Sequence, residues 1–98
     1  SLTEFHRAQT LAASEDSDAL MYFQKALESA QYGSAISWQA YIEGTILYLQ
    51  GKQIPEEIIQ KAEMIGSPNQ RNMQILRNFN DGLNVRGFPS YVEDYAKR

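Results

Sequence analysis

An all-α domain of stacked antiparallel helical hairpins, about six helices in all, is the fold class this sequence predicts. Three observations predict it. Apolar residues recur at helical spacing along most of the chain. Gly-Lys-Gln-Ile-Pro at 51–55 joins two such stretches, and a similar turn follows at 85–89. The stretches between the turns are of one size, which points to a repeat array. One domain over 1–98 is expected, with hairpins at approximately 1–32, 33–66 and 67–98.

Each element has its own justification. Phe5, Ala8, Leu11 and Ala12 are in phase and predict the first helix. From Asp18 onward Ala19, Leu20, Phe23, Ala26, Leu27 and Ala30 fall on one face, with Ser17 placed to cap the free amides at the start. Between about Ser34 and Gln50 the helix carries Trp38, Tyr41, Ile42, Thr45, Ile46 and Leu49 on one face and Ala40, Gly44 and Leu47 on another. A helix apolar on two sides is normally held between neighbours. Ala40 and Gly44 would let one of those neighbours approach closely. Pro55 suits the first turn of the fourth helix, and Glu56 and Glu57 complement its dipole. That helix is expected to reach about Ile65 and stop at Gly66, after which Ser67-Pro68-Asn69-Gln70 reads as a capping box. Met73, Leu76, Phe79 and Leu83 form the stripe of the fifth helix, which the stretch from Gly82 to Gly87 ends. Pro89 opens a short sixth helix containing Tyr91, Val92 and Tyr95.

Composition narrows the function. A formal net charge of −3 gives no overall attraction to nucleic acid or anionic lipid, and no apolar window is long enough to span a bilayer. Zero cysteines remove disulfides, thiolate metal sites and cysteine nucleophiles together. Their absence fits a cytoplasmic chain, the favoured location, and fits a bacterial periplasm as well.

Displacing the chain by 36 residues brings Phe23-Gln24-Lys25-Ala26 onto Ile59-Gln60-Lys61-Ala62, Leu11 onto Leu47, Ala8 onto Gly44 and Phe5 onto Tyr41. Displacing it by 34 brings Lys52-Gln53-Ile54-Pro55 onto Arg86-Gly87-Phe88-Pro89. The segment from Asp18 to Glu28 resembles the second helix of a tetratricopeptide or Sel1-like repeat. Ala40, Tyr48 and Gly51-Lys52-Gln53-Ile54-Pro55 resemble the next Sel1-like first helix and its Gly-Lys-Gly-Val-Pro turn. Gln53, Val85 and the Gly44-Thr45 pair depart from that pattern. The resemblance implies a right-handed superhelix whose first helices line a concave, partner-binding face, and it implies no catalytic residue.

Candidate chemistry is sparse, and no enzyme, cofactor or metal site is expected. His6 is the only histidine and lacks a positioned serine or carboxylate, so it reads as a solvated helix residue. Glu15-Asp16-Ser17-Asp18 looks like the start of a calcium loop, but counting from Asp16 puts Leu20 and Leu27 where oxygen ligands are needed. Glu56-Glu57 and Glu93-Asp94 are adjacent carboxylates that point apart on a helix. Gly51, Gly82 and Gly87 read as helix stops rather than a phosphate loop.

Binding is the better prospect. If first helices line a groove, His6, Gln9, Trp38, Tyr41, Thr45, Tyr48, Arg77, Asn78 and Asp81 mix flat rings with hydrogen-bonding groups, as a peptide groove does. Core packing is the competing reading for Trp38, Tyr41 and Tyr48. The run from Asn69 to Arg86 holds Arg71, Arg77 and Arg86 with five asparagines and one acid. That is too thin a basic stripe for nucleic acid, and recognition of an acidic side chain or C-terminal carboxylate by Arg71 or Arg77 suits it better. The expected function is therefore a non-catalytic module that binds a peptide or partner protein on a helical groove. The alternative is a small adaptor, secretion chaperone or immunity-type protein using an edge surface and the acidic patch at 15–18. Phe88, Tyr91, Val92 and Tyr95 of the terminal helix are where a second copy would dock.

Overall fold

A computed structural model describes residues 2–30, 36–63 and 71–97. Among the described residues run six helices and no strand: α1 Leu2–Ala13, α2 Ala19–Ala30, α3 Ile36–Leu49, α4 Glu56–Lys61, α5 Arg71–Arg86 and α6 Tyr91–Tyr95. None is long and apolar enough to cross a membrane. The all-α expectation and the order of the elements agree with this. The start expected at Ser34, the Gly66 stop and the capping box at 67–70 lie outside the described residues. α4 is shorter than its pattern suggested and ends at Lys61, where the Ala62 amide is shared between the carbonyls of Ile58 and Ile59 at 3.1 and 3.2 Å.

Two local expectations need correction. Asp16, not Ser17, holds the start of α2, its Oδ1 accepting the Asp18 amide at 2.8 Å. Gly82 is no helix stop; it lies inside α5, which continues to Arg86.

Three helix ends share a left-handed residue. Among the described residues the positive-φ residues are Glu15, Gly51 and Gly87, at 57°, 77° and 86°, and they stand 36 positions apart each time. At the first two the chain closes the same pair of bonds. Glu15 N–H reaches Ala12 O at 3.1 Å and Asp16 N–H reaches Leu11 O at 2.8 Å; Gly51 N–H reaches Tyr48 O and Lys52 N–H reaches Leu47 O, both at 2.9 Å. These satisfy carbonyls that the last turn would otherwise leave unpaired. At the third, Gly87 N–H bonds Leu83 O at 2.8 Å. Helices α1 and α3 thus end alike, and α5 ends by a simpler single bond, each engaging the carbonyl of a leucine four residues before the left-handed position.

Packing follows chain order and then closes on itself. α1 folds onto α2, and α3 is held among α2, α4 and α5, as its two apolar faces require. Gly44 of α3 lies directly against the Leu76 side chain of α5, the close approach its small size permits. α6 packs on α5 and returns to α1. Rings mark the circuit. Tyr41 of α3 meets Phe5 of α1 at 5.9 Å, Phe5 meets Phe23 of α2 at 5.5 Å, and Phe23 meets Tyr91 of α6 at 6.3 Å. Tyr91 then meets Phe79 of α5 at 5.7 Å, and Phe79 stacks on Tyr48 of α3 at 4.0 Å. The series begins and ends on α3.

Glu15 is the one non-glycine among the three helix terminators, and the left-handed conformation costs such a residue about 1 kcal/mol. Glu15→Gly is therefore expected to raise stability by about 1 kcal/mol and Gly51→Ala to lower it by about the same, since no atom crowds the added methyl at 51. Urea unfolding of the two variants beside the wild type checks both signs.

Candidate functional site

The residues expected to line a groove scatter into three settings. Tyr41, Thr45 and Tyr48 are buried in the core, with Tyr48 wholly out of solvent. Thr45 Oγ1 donates to Tyr41 O at 2.9 Å, and burial pushes the Tyr41 hydroxyl's pKa well above its ordinary value. Trp38 is half-buried against Phe5 at 4.7 Å. His6 and Asp81 are exposed on α1 and α5, while Gln9 donates to Tyr91 Oη at 3.2 Å. Face-on periodicity could not separate a core ring from a groove ring, and the core holds them here.

All three arginines of the 69–86 run are engaged inside the chain. Arg77 grips the Glu56 carboxylate through both terminal nitrogens at 3.1 and 2.8 Å, and this pairing, with help from Gln60, holds the Glu56 carboxyl below its usual range. Arg71 Nη2 donates to the carbonyls of Tyr95 and Lys97 at 2.9 and 3.5 Å, and Asn78 Nδ2 donates to Lys97 O at 3.1 Å. Recognition of an acidic side chain or C-terminal carboxylate is the chemistry expected of Arg71 or Arg77; Arg77 binds an acidic side chain of its own chain, and Arg71 binds backbone carbonyls instead.

Arg86 leads to the buried polar cluster. Asp94 of α6 is fully buried, and its carboxylate takes both terminal nitrogens of Arg86, the Tyr48 hydroxyl at 2.6 Å and Lys97 Nζ at 3.2 Å. Tyr48 Oη in turn accepts the Ser90 amide at 2.7 Å. Burial alone would raise the pKa of Asp94, but the hydrogen bonds from Arg86, Tyr48 and Lys97 outweigh it and hold the carboxyl below its ordinary value. Tyr48 moves the other way, raised by burial and by its bond to that carboxylate. Gly82 completes the fit, because a β-carbon there would sit on the Asp94 carboxylate. The Glu93-Asp94 pair differs in burial, Glu93 being exposed and Asp94 buried, but the two do not point apart as expected: both carboxylates accept from Arg86 Nη1, at 3.2 and 3.1 Å. Sequence reasoning missed this cluster. Gly82 inside a long helix was the available clue.

Solvent-accessible features lie elsewhere. A cleft of about 510 Å³ opens where the α1–α2 turn, the end of α3 and the α5–α6 turn converge, lined by Ala12, Ala19, Leu20, Leu49, Phe88 and Pro89 with Glu15 and Asp16 at hand. Phe88 is 58 % exposed beside it, its ring 5.7 Å from the Arg86 guanidinium. A second, shallower hollow of about 380 Å³ runs between α1 and α6 past Gln9, Tyr91, Val92 and Tyr95. No group of three or more metal-ligating side chains gathers among the described residues.

Removing one partner of a buried, fully bonded carboxylate is strongly destabilising, so Asp94→Asn is expected to cost about 3 kcal/mol. Gly82→Ala should cost about 2 kcal/mol despite alanine's better helix propensity, because its methyl overpacks the same spot. The sign with pH follows from the lowered Asp94 pKa. Its contribution is complete above the unfolded value of about 3.9 and is lost as pH falls through the lower folded value. Urea midpoints between pH 7 and 2 should therefore show a wild-type advantage over Asp94→Asn that is flat near neutrality and shrinks in acid. No protein-family model, curated protein or solved structure matches the chain.

Proposed function

We propose that the chain is a non-catalytic protein-interaction module, made of three helical hairpins of one plan, that receives an apolar side chain of its partner in the cleft between the 12–20 and 88–91 segments. The carrying observation is that cleft, an apolar floor with a large, exposed phenylalanine at its edge. Exposed aromatic anchors beside a concave apolar surface are where binding energy concentrates. The hairpin reading is supported by the three left-handed helix ends, 36 residues apart.

Placement favours an edge of the bundle over a groove along the first helices. Tyr41 and Tyr48 lie in the core, and α6 packs between α1 and α5. The cleft also brings in the acidic 15–18 turn, which suits an adaptor that works through an edge surface.

Ile36 offers an internal control, being 69 % exposed at the opposite end of α3 from Leu49. At 1.5 Å rise per residue the two are about 20 Å apart. Capture from native lysate with mass spectrometry should return the same protein with wild type and Ile36→Ser, and at least about tenfold less of it with Phe88→Ser, a loss of about 1.4 kcal/mol. Full retention by Phe88→Ser, with circular dichroism unchanged, would rule the cleft out.

A further inference from the structure

We infer that the occupant of this cleft is a cationic, apolar peptide segment, a large aliphatic or aromatic side chain with lysine or arginine beside it. The inference rests on the interaction reading above and adds the partner's charge. Every charged residue lining the cleft is acidic: Glu15 and Asp16, with Asp18 following in the same turn. No cation of the described residues lies within ion-pair distance of them. Arg86, the cation of the neighbouring α5–α6 turn, is committed to Asp94 and Glu93, and Lys52 does not line the cleft.

Glu15 makes the case more specific. Asp16 and Asp18 stand at the start of α2, where acids favour the helix itself and one Asp16 oxygen binds the Asp18 amide. Glu15 has no such local benefit. It follows the end of α1, where a negative charge opposes the dipole, and it adopts a φ of 57° that glycine accepts more easily. The two positions in the same role, 51 and 87, are both glycine. A carboxylate kept against two local preferences, at the rim of an apolar cleft, breaks the pattern in the way functional positions do. Being exposed, these acids contribute selectivity and encounter rate more than affinity, and their effect declines with salt. They also argue against a second copy, which would bring another acidic rim on a chain of net charge −3.

A random dodecapeptide display library is the probe, selected on the full chain and on Phe88→Ser. Peptides that bind wild type but not Phe88→Ser should carry Lys or Arg beside a large apolar residue at least about twofold above the unselected library, and their binding should weaken in 0.5 M salt, where screening is short-ranged. Selection on Glu15→Gly with Asp16→Asn, which keeps the turn's acceptor, should lose the cationic enrichment while apolar selection stays. Cleft-dependent peptides that are neutral or acidic, or an enrichment that survives the double variant, would overturn the inference and leave the interaction reading standing. An absence of peptides sensitive to Phe88→Ser would remove both. Concentration-dependent dimerisation abolished by Phe88→Ser would name a second copy as the occupant instead and overturn the cationic assignment.

Discussion

A single buried carboxylate fixes the second half of this fold. Asp94 could not be withdrawn from water without full compensation, because an unpaired buried charge costs several kcal/mol. Its partners come from elsewhere in the chain: Tyr48 from α3, Arg86 from α5, and Lys97 from just beyond α6. The geometry that satisfies it therefore also fixes where α6 lies. The five-residue α6 has too few internal bonds to stand alone. Once Asp94 is seated, Tyr91 three residues earlier is delivered between Phe23 and Phe79, and the aromatic circuit closes. Gly82 is the matching absence on α5 that lets the carboxylate in.

α5 serves as the spine to which shorter elements are tied, and its composition follows from that. Asn80 holds the backbone of Ile54 from both sides, accepting its amide at 2.7 Å and donating to its carbonyl at 2.9 Å. Asn84 receives Gln53 Nε2 at 2.9 Å, and Arg77 anchors Glu56 at the start of α4. Arg71 takes the Tyr95 carbonyl at the end of α6, and Asn78 takes the Lys97 carbonyl beyond it. A polar helix with three arginines and several asparagines resembles a surface for some external ligand. Here Asn80, Asn78 and Arg71 give loops and helix ends the backbone partners they lack, and Arg77, Asn84 and Arg86 bind side chains of the same segments.

Helix placement was legible in the sequence because it depends on local periodicity. The Phe23, Ala26 and Ala30 stripe is buried as read, and the two apolar faces of α3 meet neighbours on both sides. The internal displacement of 36 residues reappears in the spacing of the left-handed helix ends, though Glu15 conceals the first of them behind a residue that seldom adopts that conformation. What periodicity cannot supply is the identity of long-range partners. Asp94 and Tyr48 are 46 positions apart, and nothing local to either indicates the bond between them. The cleft escaped notice for the same reason, since its walls come from three segments that meet only after folding.

Trp38 sits where α1 meets α3, half in solvent, with the Phe5 ring at 4.7 Å and the Tyr41 ring at 5.9 Å. It is also the only tryptophan. The molecule thus carries its own optical gauge at the seam between α1 and α3. Its emission reports the docking of α1 on α3, whereas the described tyrosines, spread over α2, α3 and α6, report the bundle as a whole.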